Sequence, residues 1–166
     1  MALIILDRDG VINFDSENYI KSPEEWQPIP GSLEAIARLG RANFQVVLAT
    51  NQAGIGRGLF DVDTLNRIHQ KMIAQVQEKG GKIDAIFFCP PTPEDHCICR
   101  KPKPGLLLEA SKRLRLPLLG IPFVGDSDSD VEAALAVGAQ PVLVNSGNGR
   151  ATQAARMVPN LSLIPN

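Results

Sequence analysis

Short apolar runs alternate with amphipathic stretches along most of the chain. Runs rich in β-branched residues predict strands, and stretches with apolar residues three or four apart predict helices. The predicted strands are residues 2–6, 44–49, 83–88, 121–126 and 141–145, and the weakly patterned tail after Gly149 adds an edge strand at 161–164. The predicted helices are residues 32–42, 61–80, 105–116 and 129–138.

The predicted strands are apolar along nearly their whole length rather than on alternate residues. Continuous apolar strands that alternate with helices indicate a parallel sheet that is covered on both faces. We therefore predict an α/β fold with three layers, in which a Rossmann-like parallel sheet lies between two layers of helices. No linker, repeat or low-complexity segment divides the chain, so we expect a single domain over residues 1–166.

Composition and charge exclude several classes of protein. The net charge is −1 without a run of like charges, whereas nucleic-acid and membrane-surface binders normally present a basic face. No apolar run approaches the roughly 20 residues of a membrane span, and the chain does not begin like a secretory signal. An odd number of cysteines in one loop does not indicate a disulfide framework. We expect a cytoplasmic monomer with reduced thiols that binds neither nucleic acid nor membrane.

Polar side chains follow three of the predicted strands at the point where each strand ends. Asp7 and Asp9 follow the first strand, Thr50 the second and Asp126 the fourth, with Asp130 shortly after. The carboxyl ends of parallel strands share one edge of the sheet, so we expect these side chains to meet there. Clustered carboxylates repel one another unless a cation compensates, and Mg²⁺ prefers such oxygen ligands. For Asp130, a role as an ordinary helix-capping residue stays open.

Four motifs occur in the order of one enzyme superfamily. They are DRDG at 7–10, TNQ at 50–52, RKPKPG at 100–105 and GDSDSD at 125–130. Together they resemble the signature motifs of haloacid dehalogenase-like phosphohydrolases, and their wording is similar to that of sugar-bisphosphate phosphatases related to histidinol phosphatases. The resemblance covers about residues 1–150 and implies the haloacid dehalogenase-like fold. It also implies that there is no large cap domain, since the segments between the motifs have no room for one.

The resemblance implies Mg²⁺-dependent removal of the 7-phosphate of a heptose 1,7-bisphosphate through an aspartyl-phosphate, in the synthesis of nucleotide-activated heptose for lipopolysaccharide core. Asp7 would be the nucleophile and Asp9 the general acid and base, with Thr50 and Lys101 completing the catalytic set. Mg²⁺ would be bound by Asp7, Asp126 and the main-chain carbonyl of Asp9. The residues expected to contact the substrate are Asp15, Ser16, Glu17, Asn18, Thr50, Asn51, Gln52, Arg100 and Lys101, with Tyr19 nearby.

Two other functions stay open. Histidinol phosphate is the main alternative substrate, because the acidic residues Asp15 and Glu17 would also suit an amine. The other alternative is a zinc-clipped binding protein that keeps the fold without catalysis, against which the complete catalytic set argues.

The loop insert at about 89–103 holds all three cysteines, Cys89, Cys97 and Cys99. The resemblance implies a structural Zn²⁺ that is bound here by cysteines and one histidine, but Pro91 stands at the position expected for the histidine. Structural zinc normally takes four Cys or His ligands. We therefore predict zinc bound by the three cysteines, with His96 as the leading candidate for the fourth ligand.

Other outcomes for the cysteine loop stay open. Asp95 or water is an alternative fourth ligand, and a metal-free, reduced loop shaped by its prolines is the alternative to a metal site. If zinc is present, it would fix the loop so that Arg100 and Lys101 face the phosphate. The second histidine, His69, falls inside a predicted helix and is expected to pack there or to face solvent.

Overall fold

The computed structural model describes residues 2–144 and 163–164, and its strands form one parallel sheet. The strands are β1 (Ala2–Leu6), β2 (Phe44–Asn51), β3 (Ala85–Cys89), β4 (Pro122–Gly125), β5 (Gln140–Val144) and β6 (Leu163–Ile164). Their order across the sheet is β3-β2-β1-β4-β5-β6, and each neighbouring pair is parallel. The predicted edge strand is present as β6, and the remaining predictions for the tail lie outside the described residues.

Five helices connect the described strands. They are α1 (Ser32–Arg41), α2 (Ala53–Gly56), α3 (Val62–Glu78), α4 (Gly105–Leu114) and α5 (Asp128–Ala136), with short 3-10 turns at Pro23–Glu25 and Pro93–Asp95. The sequence pattern did not predict α2, because one turn is too short to show a period. Asp61 is the N-cap of α3, because its carboxylate accepts a hydrogen bond of 2.8 Å from the amide of Thr64.

Both faces of the sheet are buried, as the continuous apolar strands indicate. Along β1, Ile4 and Leu6 face one cluster that includes side chains of α1 and α3. The alternate residues Leu3 and Ile5 face a second cluster that includes side chains of α4 and α5. Full burial of each such side chain contributes about 1.5–3 kcal/mol, so β1 is held from both sides. The predicted three-layer α/β fold is confirmed.

The connections between the strands that carry the site contain few secondary-structure elements. Within the described chain, β1 and α1 are joined by a loop that contains one 3-10 turn, and only α2 and α3 separate β2 from β3. The predicted absence of a large cap domain is thereby confirmed for these residues. None of the described helices has the length and apolar character needed to cross a membrane.

Candidate active site

The strands that carry the predicted site residues are neighbours in the sheet. β1 lies between β2 and β4, and the amide of Asp7 donates to the carbonyl of Val124 at 2.9 Å. Asp7, Thr50 and Asp126 therefore meet at the carboxyl edge, around a cavity of about 360 Å³. Other predicted residues at its wall are Asp9, Asp15, Ser16, Glu17, Tyr19, Asn51, Arg100 and Lys101.

Two residues that we expected to contact substrate do not border this cavity. Asn18 is exposed on the loop after β1, where its amide donates to the Ser16 hydroxyl at 3.2 Å. Gln52 is buried behind the wall, and its Nε2 donates to Oγ1 of Thr50 at 3.1 Å and to Oδ2 of Asp9 at 3.2 Å. Gln52 therefore holds two residues of the site in place rather than lining it.

Three buried carboxylates form the acidic side of the cavity. One oxygen from each of Asp7, Asp126 and Asp130 lies within 4.8 Å of the other two. The side chain of Asp9 is not part of this cluster. Asp130, in the first turn of α5, is part of it, and its Oδ2 also accepts from the amide of Asp126 at 3.1 Å.

Glycines make room for this cluster. Gly10 has φ of +84°, which a residue with a side chain rarely adopts, and a Cβ there would overlap the carboxylate of Asp126. A Cβ on Gly125 would overlap the side chain of Asp130. The last residue of DRDG and the first of GDSDSD are therefore glycines because the acids pack directly against the backbone.

Lys101 is the buried cation of the acidic side. Its Nζ lies 3.1 Å from Oδ1 of Asp7 and 2.6 Å from Oδ1 of Asp130, and it donates to the carbonyl of Ala49 at 3.0 Å. These partners use all three N–H groups of the ammonium. Burial acts to lower the pKa of Lys101, but Asp130 and Asp7 outweigh it and raise the pKa above its ordinary value. Lys101 is therefore a fixed positive charge beside Asp7.

The backbone of Lys101 is fixed from β2. The side chain of Asn51 donates to the Lys101 carbonyl and accepts from its amide, both at 3.1 Å. The neighbouring Arg100 borders the cavity, and its Nη1 is buried without a hydrogen-bond partner among the described residues. A buried guanidinium N–H that lacks an acceptor fits an anion in the cavity, because leaving such a donor unpaired is costly.

The acidic side carries more negative than positive charge. Burial and the charge of Asp130 raise the pKa of Asp7 well above its ordinary value, although Lys101 acts to lower it. When all three carboxylates are ionised, they leave two negative charges beyond the charge of Lys101, which one divalent cation would balance. Hard carboxylate oxygens are the ligands that Mg²⁺ prefers, so the donor set fits that ion.

Asp9 belongs to a second group of side chains. Its Oδ1 accepts from Nε of Arg8 and from Nδ2 of Asn13, both at 2.9 Å. The chain does not stay extended after β1, because the Arg8 carbonyl accepts from the amides of Val11 and Ile12. Asp7 and Asp9 thus border the same cavity but have different side-chain partners.

Two members of this second group were not among the predicted site residues. Arg8 is fully buried, and its Nη1 lies 3.2 Å from Nε2 of His69 on α3. His69 is itself buried, so of its two predicted placements the structure shows the packed one. An arginine between two acids at a strand end was the available signal for Arg8, whereas the contact with His69 spans 61 residues and has no local signal.

The three cysteines converge at the end of β3. Their sulfurs lie within 4.8 Å of one another, with 4.0 Å between Cys89 and Cys97 and 2.8 Å between Cys97 and Cys99. The sequence predicts reduced thiols, whereas the structure joins Cys89 and Cys99 in a disulfide and leaves Cys97 free. The fold of the loop brings together sulfurs that are ten or fewer residues apart, which a count of cysteines does not reveal.

The structure does not place His96 with the sulfurs. Its side chain is exposed, and the cluster that could hold a metal contains the cysteines alone. His96 has a left-handed backbone with φ of 51° at the end of a 3-10 turn, directly before Cys97. Asp95, the other candidate, accepts instead from the amide and hydroxyl of Thr92.

Comparisons with known proteins place the chain in a family. A family model described as HAD-hydrolase-like matches residues 98–165. D-glycero-β-D-manno-heptose-1,7-bisphosphate 7-phosphatase of Bordetella bronchiseptica is 55% identical over 159 residues, which cover 96% of this chain and 89% of that protein. The enzyme of the same name from Pseudomonas putida is 53% identical over 164 residues, which cover 99% of this chain and 93% of that protein.

A solved structure matches over the same length. The crystal structure of D,D-heptose 1,7-bisphosphate phosphatase from B. bronchiseptica, complexed with magnesium and phosphate, superposes with a TM-score of 0.93 at 53% identity. The match covers 99% of this chain and 92% of that one. The chain therefore belongs to the D-glycero-β-D-manno-heptose-1,7-bisphosphate 7-phosphatase family of the haloacid dehalogenase-like hydrolases.

Proposed function

We propose that the protein removes the 7-phosphate of D-glycero-β-D-manno-heptose 1,7-bisphosphate, in the synthesis of nucleotide-activated heptose for lipopolysaccharide core. The observation that carries this proposal is the convergence of Asp7, Lys101 and Asp126 at one cavity, in a chain that is 55% identical to a phosphatase of that name. The complete set of acids and the fixed lysine argue against a binding protein without catalysis.

Asp7, Asp126 and the main-chain carbonyl of Asp9 would hold the Mg²⁺ ion. The support is the excess negative charge of the cluster and the magnesium that the related crystal structure contains. When bound, the ion neutralises charge on the transferring phosphoryl group, which is the principal requirement of phosphoryl transfer. The chain's own residues supply the nucleophile, the proton and the remaining positive charge.

Asp7 is the proposed nucleophile. A carboxylate oxygen of Asp7 forms a bond to phosphorus while the bond between phosphorus and the sugar oxygen breaks, which gives an aspartyl-phosphate and the sugar alcohol. Its Oδ1 is held by the Arg8 amide at 2.8 Å and by Lys101, so the position of this oxygen is fixed before the substrate binds. Arg100 and Thr50 bind the phosphoryl oxygens, and Asn51 keeps the backbone of Lys101 in place.

Asp9 is the proposed proton donor. Both Arg8 and Asn13 donate to its Oδ1, while only Gln52 donates to its Oδ2, at the longer distance of 3.2 Å. We therefore assign the proton to Oδ2, from which it passes to the sugar oxygen as that oxygen leaves. In the second step Oδ2 takes a proton from water, the water oxygen attacks phosphorus, and Asp7 and inorganic phosphate are released.

The loop after β1 forms the outer wall of the cavity. Asp15, Ser16 and Glu17 border it and offer hydrogen-bond acceptors to sugar hydroxyls, but two acids would also suit the amine of histidinol phosphate. Turnover of the two substrates, compared at equal enzyme concentration, separates these functions. We expect a strong preference for heptose bisphosphate and, by ³¹P NMR, loss of the 7-phosphate with retention of the 1-phosphate. A preference for histidinol phosphate would overturn the proposed substrate.

The cysteine loop is the proposed site of a structural zinc ion. Zn–S bonds are about 2.3 Å long, so thiolates on one tetrahedral ion lie roughly 3.8 Å apart, and the 4.0 Å between Cys89 and Cys97 is close to that spacing. The ion would replace the disulfide and would fix the loop that leads into Arg100 and Lys101. No fourth His, Cys, Asp or Glu of the described residues joins the sulfurs, which makes water the proposed fourth ligand.

The domain organisation, oligomeric state and location that we propose are those predicted from the sequence. The described strands form one sheet, and the proposed catalytic groups all come from it or from its connections, which supports a single domain with a cysteine-containing insert. We propose that this domain acts as a monomer in the cytoplasm, where its phosphorylated sugar substrate would occur.

A further inference from the structure

Arg8 is a buried cation beside the proposed proton donor Asp9. Its side chain is 0% exposed, and a buried charge is costly unless it is paired and its donors are engaged. Nε donates to Oδ1 of Asp9 at 2.9 Å, and Nη2 lies 2.7 Å from the same oxygen without a well-directed hydrogen bond. Nη1 points the other way and lies 3.2 Å from Nε2 of His69. The guanidinium therefore bridges Asp9 and His69.

The chemistry of arginine fixes the state of His69. A guanidinium has only donors, so Nε2 of His69 must be the unprotonated acceptor and the ring proton must be on Nδ1. Burial, followed by the positive charge of Arg8, lowers the pKa of His69 to about 3. The imidazole is therefore neutral near pH 7 and serves as a hydrogen-bond anchor rather than as an acid or a base.

α3 gives this anchor a rigid support. The residues on either side of His69 along the buried face, Leu65, Ile68 and Met72, are 0% exposed. Ile68 and Met72 belong to the apolar cluster on one face of the sheet. A side chain held by such packing has little freedom to move, so the position of Nε2 determines where Nη1 of Arg8 lies.

We propose that His69 is a positioning residue for proton transfer, and that it acts by fixing the Arg8 guanidinium that orients the carboxylate of Asp9. This inference rests on the proposed function, because it takes Asp9 as the proton donor. His69 lies outside the four sequence motifs and does not border the cavity, so it touches no reacting atom.

The proposed role has a consequence that packing alone would not have. Without the acceptor at position 69, Arg8 would lose one of its two anchors, and the direction of Oδ2 of Asp9 would be less strictly fixed. A sugar oxygen is a poor leaving group and needs the proton of Asp9, whereas the nitrophenolate of p-nitrophenyl phosphate leaves without one. General-acid catalysis contributes about 100- to 10,000-fold, so partial misorientation should cost roughly tenfold with the sugar substrate alone.

The test compares kcat/KM for heptose bisphosphate and for p-nitrophenyl phosphate, because this constant reports the step in which the alcohol leaves. We expect His69→Leu to lower kcat/KM roughly tenfold with the sugar and less than about twofold with the aryl phosphate, with the change in kcat rather than KM. His69→Gln, whose amide oxygen can accept from Arg8, should restore most of the loss. Met72→Leu, a buried change on α3 that does not touch Arg8, is the matched control and should change neither value.

Two results would overturn the proposal: an equal loss with both substrates, which indicates a packing role, or no loss with either. If His69→Leu does not fold, His69→Asn takes its place, because the shorter amide does not reach Nη1 of Arg8. A wild-type protein that does not hydrolyse heptose bisphosphate would refute the proposed function instead. In that case the ratio between an accepted alkyl phosphate and the aryl phosphate still decides the role of His69.

Discussion

Replacing Asp126 by asparagine should stabilise the metal-free protein but make it less stable than the wild type when Mg²⁺ is added. Asp126 and Asp7 are buried, and the oxygens that they offer to a metal lie within 4.8 Å of each other. At an effective dielectric constant of about 20, two unit charges at that distance repel by about 3 kcal/mol. The raised pKa of Asp7 already relieves part of this repulsion, so we expect Asp126→Asn to stabilise the metal-free protein by about 1–2 kcal/mol.

Magnesium should make the wild type more stable than the Asp126→Asn variant. At about 100 times its dissociation constant, a ligand that binds only the native state stabilises it by about 2.7 kcal/mol, and the wild type should gain this amount. The variant lacks one of the carboxylate ligands and should gain less than about 1 kcal/mol. In Mg²⁺ the wild type should therefore be the more stable protein.

Urea unfolding in EDTA and in Mg²⁺ measures both effects. Trp26 is the single tryptophan and is fully buried, so its fluorescence reports the loss of the core. Asp128→Asn is the matched control, because it removes the same charge two residues away and outside the carboxylate cluster. A variant that is less stable than the wild type in EDTA would refute the repulsion argument, and one that gains as much from Mg²⁺ would refute the metal site at Asp126.

Asp7→Asn should abolish phosphate release and the labelling of the protein by substrate phosphate, with an unchanged circular dichroism spectrum; normal turnover would exclude a covalent intermediate on Asp7. Between pH 7 and pH 5 the wild type should lose about 2 kcal/mol of unfolding free energy relative to His69→Gln. The reason is that His69 binds a proton below about pH 6.5 when unfolded but only near pH 3 when native, and parallel urea curves would contradict it. The purified protein should contain about one zinc ion per chain, less in Cys97→Ser, and metal analysis that finds none would exclude the zinc site.

The parts of the site that could be predicted from sequence are those fixed by strand ends. Asp7, Thr50 and Asp126 each follow an apolar run, and parallel strands bring such ends to one edge whatever the details of the loops. Asp130 was ambiguous, because an acid in the first turn of a helix is also what a capping role requires. Its pairing with Lys101 depends on a loop 29 residues away and leaves no mark in the local pattern.

The parts that could not be predicted depend on side-chain direction. The left-handed turn at His96 separates its imidazole from Cys97, and no periodicity reports the sign of φ at one residue. Gln52 was expected at the cavity wall but is buried, because the chain turns into α2 directly after it. The cluster of three sulfurs and the Arg8–His69 contact likewise arise from tertiary packing.

The nucleophile and the proton donor belong to separate groups of side chains, although Asp7 and Asp9 are only two residues apart. Asp7 shares a cluster with Lys101, whose charge cannot move because three acceptors hold it. Asp9 faces Arg8, a permanent cation whose Nη2 lies 2.7 Å from Oδ1 of Asp9. The side chain of Asp9 is thus held by a cation of its own and lies outside the carboxylate cluster that would bind a divalent ion. The turn at Arg8 makes this division possible, since an extended chain would have directed both acids to the same partners.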